Sequence, residues 1–188
     1  MPRMAQAHAP YPEKIGAWLA RTMPPGVPPL ALFTTLARDE RLFERFSSGG
    51  LLDRGHLTLR QREIVIDRTT ARCGSEYEWG VHVAFFAERA GLHEEHRIAL
   101  VHGRSNDPVW TGDERLLLAA CDALHDRADI DDALWSDLRD VFAEEAILEI
   151  VMLAGFYRTV SYLTNALRLE PEAIAARFPP EPARPAGR

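Results

Sequence analysis

Apolar residues return every three to four positions along most of this chain, and nowhere do they alternate over a run long enough for a half-buried strand. The periodicity predicts helices over roughly 12–22, 29–47, 58–73, 75–90, 93–102, 112–127, 131–142 and 144–168. The expected fold class is therefore all-α: one bundle of about seven or eight helices over 12–178. A flexible N-terminus (1–11) precedes it, and a disordered proline-rich tail (179–188) with almost nothing apolar to bury follows it. Three helix starts read as capping boxes, in which an N-cap hydroxyl and an acid or amide three residues on satisfy free backbone N–H groups: Thr58 with Gln61, Ser75 with Glu78, and Thr111 with Glu114. Gly74 and Gly91 stand where helix ends favour a left-handed residue. The segment MPPGVPPL at 23–30 reads as a stiff linker.

Composition narrows the partners more than the chemistry. The chain has 28 acidic and 22 basic residues, a formal charge of −6, and a single lysine, Lys14. Phosphate binding needs clustered cations, so nucleic acid is not expected as a partner. The most apolar helix, near 146–163, is interrupted by Glu149, Arg158 and Ser161, which suits a core helix and not a membrane span. Cys73 and Cys121 form neither a disulfide framework nor a paired zinc pattern. Reduced thiols and the lack of an apolar leader in MPRMAQAHAP point to the cytoplasm.

Chemistry concentrates in TLRQREIVIDRTTARCGSEYEWGVHVAFFAERAG, residues 58–91, which reads as a helical hairpin. Glu63 falls near the apolar side marked by Leu59 and Ile66. His82 belongs to a stripe with Trp79, Val83, Phe86 and Ala90. Measured from the turn at Gly74, Glu63 lies about 16 Å along one arm and His82 about 12 Å along the other, at roughly 1.5 Å per residue. The two side chains can therefore meet across an antiparallel pair. A carboxylate beside an imidazole fixes its tautomer and raises its basicity, which prepares a general acid or base. Glu78, one turn before His82, is a second carboxylate, although the Ser75 cap already accounts for it. Glu63, Glu78 and His82 contain one histidine and no HxxxH spacing, so no metal is expected. His93 and His96, beside Glu94 and Glu95, are expected to face solvent.

The run RQREIVIDRTTARCGSEYEWGVHVAFFAERAG resembles the carboxymuconolactone decarboxylase-like proteins, which include the alkylhydroperoxidase D-type peroxidases. The resemblance is strongest over about 57–102. The peroxidase branch carries CxxCxxxH, with a glutamate nineteen residues before the histidine. Glu63 and His82 have that spacing, so the resemblance implies that they are the proton-relay pair. The two cysteine positions fall on Ser75 and Glu78, and a histidine found in some peroxidases falls on Tyr77. A dithiol peroxidase needs one thiolate to attack the O–O bond and a second thiol to resolve the sulfenic acid. Neither is present at those positions, so the resemblance points to the branch without the cysteine pair.

That branch implies a cofactor-independent acid–base enzyme, a decarboxylase or lactone-processing enzyme, acting on a small carboxylated molecule. His82 would move the proton and Glu63 would tune it, with Glu78 or Tyr77 assisting. Arg68, Arg72 and Arg158 are cations available for a carboxylate. Two other readings stay open: residual thiol chemistry at Cys73, and a non-catalytic member of the fold. The resemblance also implies a homo-oligomer, a trimer or hexamer.

Overall fold

The computed structural model describes residues 1–182. Among them are nine helices and no strand: α1 (Glu13–Thr22), α2 (Ala31–Leu36), α3 (Glu40–Ser47), α4 (Leu59–Arg72), α5 (Glu76–Phe86), α6 (Glu94–His102), α7 (Gly112–Arg127), α8 (Asp132–Val141) and α9 (Glu144–Leu167). Helix α4 is the axis of the bundle, with α5, α6, α7 and α9 packed around it. Every residue from Arg62 to Thr70 is buried. Here the structure departs from the amphipathic reading of 58–73, because the charged positions are inside as well. Arg62, Glu63 and Arg68 are tolerable there because neighbours of opposite charge pair with them. The Arg68 guanidinium donates two 2.8 Å bonds to the Asp122 carboxylate on α7 and a third to the Leu100 carbonyl at the end of α6.

The capping boxes at Thr58 and Thr111 form as read. At Ser75 only half of the box forms. The hydroxyl accepts from the Glu78 N–H, but the Ser75 N–H donates to the Thr70 carbonyl, leaving the Glu78 carboxylate free for other work. Gly74 and Gly91 both take positive φ, +64° and +66°, so the hairpin turns where the glycines stand.

The helix expected over 29–47 is two. Asp39 is extended, and its carboxylate accepts from the Leu42 N–H at 2.8 Å, capping a new helix. Aspartate competes with the backbone in this way, so it favours an N-cap over a helix interior. The break lets α2 bury Ala31 and Leu32 in the main core while α3 buries Phe43 in a smaller one with Ile15, Leu19 and Ala37. Helices α1–α3 thus form a cap with a core of its own. Helix α5 also stops early, at Phe86, and the chain continues in turns to Gly91.

The first residues and the described segment after α9 both lie against the bundle. Arg3 N–H donates to the Leu167 carbonyl and Ala7 N–H to the Thr34 carbonyl. After α9 the described residues carry no helix and double back over α5. Ala176 N–H donates to the Gly80 carbonyl, Phe178 packs 5.2 Å from Trp79, and the Pro179 carbonyl accepts from His102. Of the tail expected at 179–188, residues 179–182 carry no helix and 183–188 lie outside the described residues. Helix α9 is the one described helix long and apolar enough to cross a membrane by length and composition. It packs on α4, α5, α7 and α8, with Ile150, Leu153, Tyr157 and Val160 buried as core residues.

Candidate acid–base site

Glu63 and His82 meet. His82 Nδ1 donates to Glu63 Oε2 at 2.8 Å, and both side chains are sealed from solvent. The other Glu63 oxygen accepts from Arg62 Nε (3.0 Å) and one terminal nitrogen (2.9 Å), while the remaining Arg62 nitrogen donates to the Leu52 carbonyl. On the far side of the ring, Nε2 lies 3.5 Å from Glu78 Oε1. The result is a line of alternating charge, Arg62–Glu63–His82–Glu78, built from one turn of α4 and one of α5. Burial alone would drive the imidazole toward its neutral form. The flanking Glu63 and Glu78 carboxylates outweigh burial and raise its pKa to about 10, so the ring is an imidazolium at neutral pH.

One end of this line opens on a cavity of about 320 Å³ between α5, α9 and the α1–α3 cap. Its walls are largely aromatic: Trp18, Phe33, Phe46, Phe85, Phe86 and Phe156. Glu78, His82 and Tyr157 also line it, and Glu63 stays behind. Tyr157, on α9, stands edge-on to the His82 ring at 4.9 Å and is 2% exposed. Its hydroxyl makes no hydrogen bond to another described residue. Burial, with the Glu78 and Glu63 carboxylates nearby, pushes its pKa up and keeps it a neutral donor. Among the described residues no three His, Cys, Asp or Glu side chains converge as metal ligands would.

Not every residue chosen from the sequence lies here. Tyr77 points the other way: its hydroxyl donates to Glu172 and accepts from the Leu32 N–H at 3.1 Å, pinning the C-terminal segment and α2 to α5. Cys73 is ten residues along α4 from Glu63, about 15 Å at helical rise. Its thiol faces His125 Nδ1 at 3.7 Å and is pushed up in pKa by burial. Cys121 bonds instead to the Val65 carbonyl two turns away on α4, and burial raises its pKa to about 12. The arginines put forward for a carboxylate are committed elsewhere. Arg68 holds Asp122, Arg72 holds Asp126, and Arg158 donates to the Leu124 and His125 carbonyls. His96, expected in solvent, is buried against Trp110.

Four contributors escaped the sequence reading. Arg62 adjoins Glu63 in sequence, and a lone arginine beside an acid carries no motif that marks it. Tyr157 sits in the apolar stripe of α9, where an aromatic residue normally signals packing. Arg89, which also lines the cavity, is seven residues after His82 and so on the same helical face, a spacing that was available. Asp67 lies one turn beyond Glu63 on α4, wholly buried, and neither oxygen has a hydrogen-bond partner among the described residues. Burial first, and then the Glu63 carboxylate, push its pKa well up and favour the neutral acid.

The chain matches no family sequence profile and no curated relative. It is similar in structure to a peroxidase-related protein from Silicibacter sp. TM1040, with a TM-score of 0.76 and 17% identity over 92% of this chain and 94% of that one. A peroxidase-related protein from Ralstonia eutropha JMP134, described as an alkylhydroperoxidase AhpD core, gives 0.75 and 17% over 92% and 93%. A protein of unknown function from Agrobacterium tumefaciens gives 0.57 and 23% over 69% and 85%. The chain therefore has the alkylhydroperoxidase D-like fold, all-helical as its periodicity predicted.

Proposed function

We propose that this protein is a cofactor-independent acid–base enzyme, a decarboxylase or lactone-processing enzyme, working on a small molecule held in the aromatic cavity. The observation that carries the reading is an imidazolium clamped between two carboxylates with one edge on an aromatic-walled cavity. A solvated histidine would titrate near 6.5 and its proton would be lost to bulk water. Here the proton is retained, and the ring is fixed in orientation by Glu63, itself held by Arg62.

Two steps use this arrangement. In a decarboxylation the C–CO₂ bond breaks, its electron pair passes into the conjugated system, and His82 Nε2–H returns a proton to carbon. In a lactone isomerisation Glu78 removes a proton beside the carbonyl and His82 supplies one at the new position. In both, Tyr157 donates to the oxygen on which negative charge grows. Thiol chemistry at Cys73 lacks a resolving partner, since the other thiol is buried two turns away. We also propose a homo-oligomer in the cytoplasm, with the exposed Leu148, Met152 and Tyr162 of α9 as the surface available for contacts.

Proton exchange in deuterated water tests the reading. Incubation with carboxylated lactones, followed by NMR, is expected to show deuterium entering the substrate or product. H82N is expected to slow it by about 10²–10⁴-fold, the usual contribution of a positioned acid or base. Exchange at the wild-type rate in folded H82N would overturn the proposal.

A further inference from the structure

Glu78, His82, Phe85, Phe86 and Arg89 follow one another at spacings of four, three, one and three residues, and all line the same wall of the cavity. The wall runs from a charge-paired inner end to a cationic rim. At the inner end His82 Nδ1 is held by Glu63 and Nε2 lies 3.5 Å from Glu78. The imidazolium charge is thus matched there by two carboxylates, and Glu78 would repel an incoming carboxylate. What the inner end does offer is the hydroxyl of Tyr157, a residue 2% exposed, with no hydrogen bond to another described residue, which suits an uncharged oxygen.

The rim is the opposite. Arg89 is the one arginine or lysine among the described residues lining the cavity, and no acidic side chain among them pairs with it. Its guanidinium lies over the Phe86 ring at 5.5 Å, leaving its N–H edge available. Arg89 follows His82 by seven residues, in the turn that continues α5 beyond Phe86. Between them the walls are aromatic rings and aliphatic side chains.

We propose that the cavity takes a singly charged aryl or arylalkyl carboxylate. Its carboxylate sits on Arg89 at the rim, its ring lies among the phenylalanines, and an uncharged carbonyl or hydroxyl at the far end meets Tyr157, Glu78 and His82. The proposal rests on the acid–base reading of the inner end and narrows it. The carboxylate is an anchor remote from the reacting atoms, which favours lactone or enol chemistry over loss of CO₂. A molecule with two carboxylates, one at each end, is disfavoured.

Three matched compounds test this by calorimetry or by quenching of Trp18 fluorescence, neither of which needs turnover. They are para-acetylphenylpropanoate, its methyl ester, and para-carboxyphenylpropanoate. The acetyl acid is expected to bind about tenfold or more tighter than both others, the scale of one well-placed ion pair. R89Q is expected to bring the acid down to the affinity of the ester while leaving the ester unchanged. Y157F is expected to weaken acid and ester alike. Equal or tighter binding of the dicarboxylate, binding of none of the three, or an unchanged preference in R89Q would overturn the inference. Charge preference without proton exchange on any substrate would sink the acid–base reading and leave the ligand class standing. Exchange confined to dicarboxylates would do the reverse.

Discussion

Glu63 Oε2 and His82 Nδ1 lie 2.8 Å apart in the interior, although nineteen residues and a helical turn separate them in the chain. The pair is not isolated: Arg62 backs the carboxylate and Glu78 faces the other ring nitrogen, so each charge has an opposite neighbour. Removing one member leaves the rest uncompensated. E63Q is expected to cost about 3–5 kcal/mol of stability, as for other buried pairs stripped of one partner. It should also drop the imidazole pKa, read by NMR of the ring protons. A variant as stable as wild type with an unchanged His82 titration would refute the geometry.

The same pair sets a pH dependence. His82 has a folded pKa of about 10 against an ordinary 6.5, so its protonation stabilises the fold fully below about 6.5. That contribution is lost as pH rises through about 10. Thermal denaturation between pH 6.5 and 10 should show melting falling with pH in wild type, and a shallower fall in H82N.

Asp67 gives a second pH signature. Its folded pKa is raised, so its contribution to stability is present below the unfolded value of 3.8 and is lost as pH rises toward the folded value. D67N cannot ionise in the unfolded chain. It is expected to match wild type near pH 3.5 and to exceed it at pH 8 by on the order of 1 kcal/mol or more, since a tenfold change in an acid's ionisation constant is worth about 1.4 kcal/mol. Parallel melting curves at both pH values would show that Asp67 is solvated or paired.

Two tyrosines should separate stability from function. Y77F loses bonds to Glu172 and to the Leu32 N–H and is expected to destabilise by about 1–3 kcal/mol while leaving the cavity intact. Y157F breaks no hydrogen bond among the described residues, so it should melt close to wild type and lose ligand affinity and turnover. Urea denaturation beside binding data decides it, and the reverse assignment of effects would fail the prediction.

Gly80 is where α5 and the returning C-terminal segment touch backbone to backbone. A methyl group there would run into the Ala176 carbonyl oxygen. G80A is expected to lose about 1–3 kcal/mol, the usual cost of overpacking, and to expose Arg177 to trypsin. Wild-type cleavage kinetics would mean the segment is not held.

The sequence by itself determined the helices and the hairpin, because both depend on short-range chemistry. The 3.6-residue period, the caps at Thr58 and Thr111, and left-handed glycines at 74 and 91 act within a few residues of one another. Even the meeting of Glu63 and His82 was legible, since two rigid arms of known rise from one turn fix their relative height. Asp39 splitting 29–47 is a lesser case of the same kind, a local cap hidden by a continuous apolar stripe. What only the tertiary structure decided is which charges go inside and which groups share the cavity. Arg68 and Asp122 can be buried because they find each other across α4 and α7, and Tyr157 reaches His82 only because α9 packs there. Tyr77 and Cys73, close to the site in sequence, point away from it because a helix turns each successive side chain by about 100°. Those facts depend on contacts between residues far apart in the chain, and no local pattern encodes them.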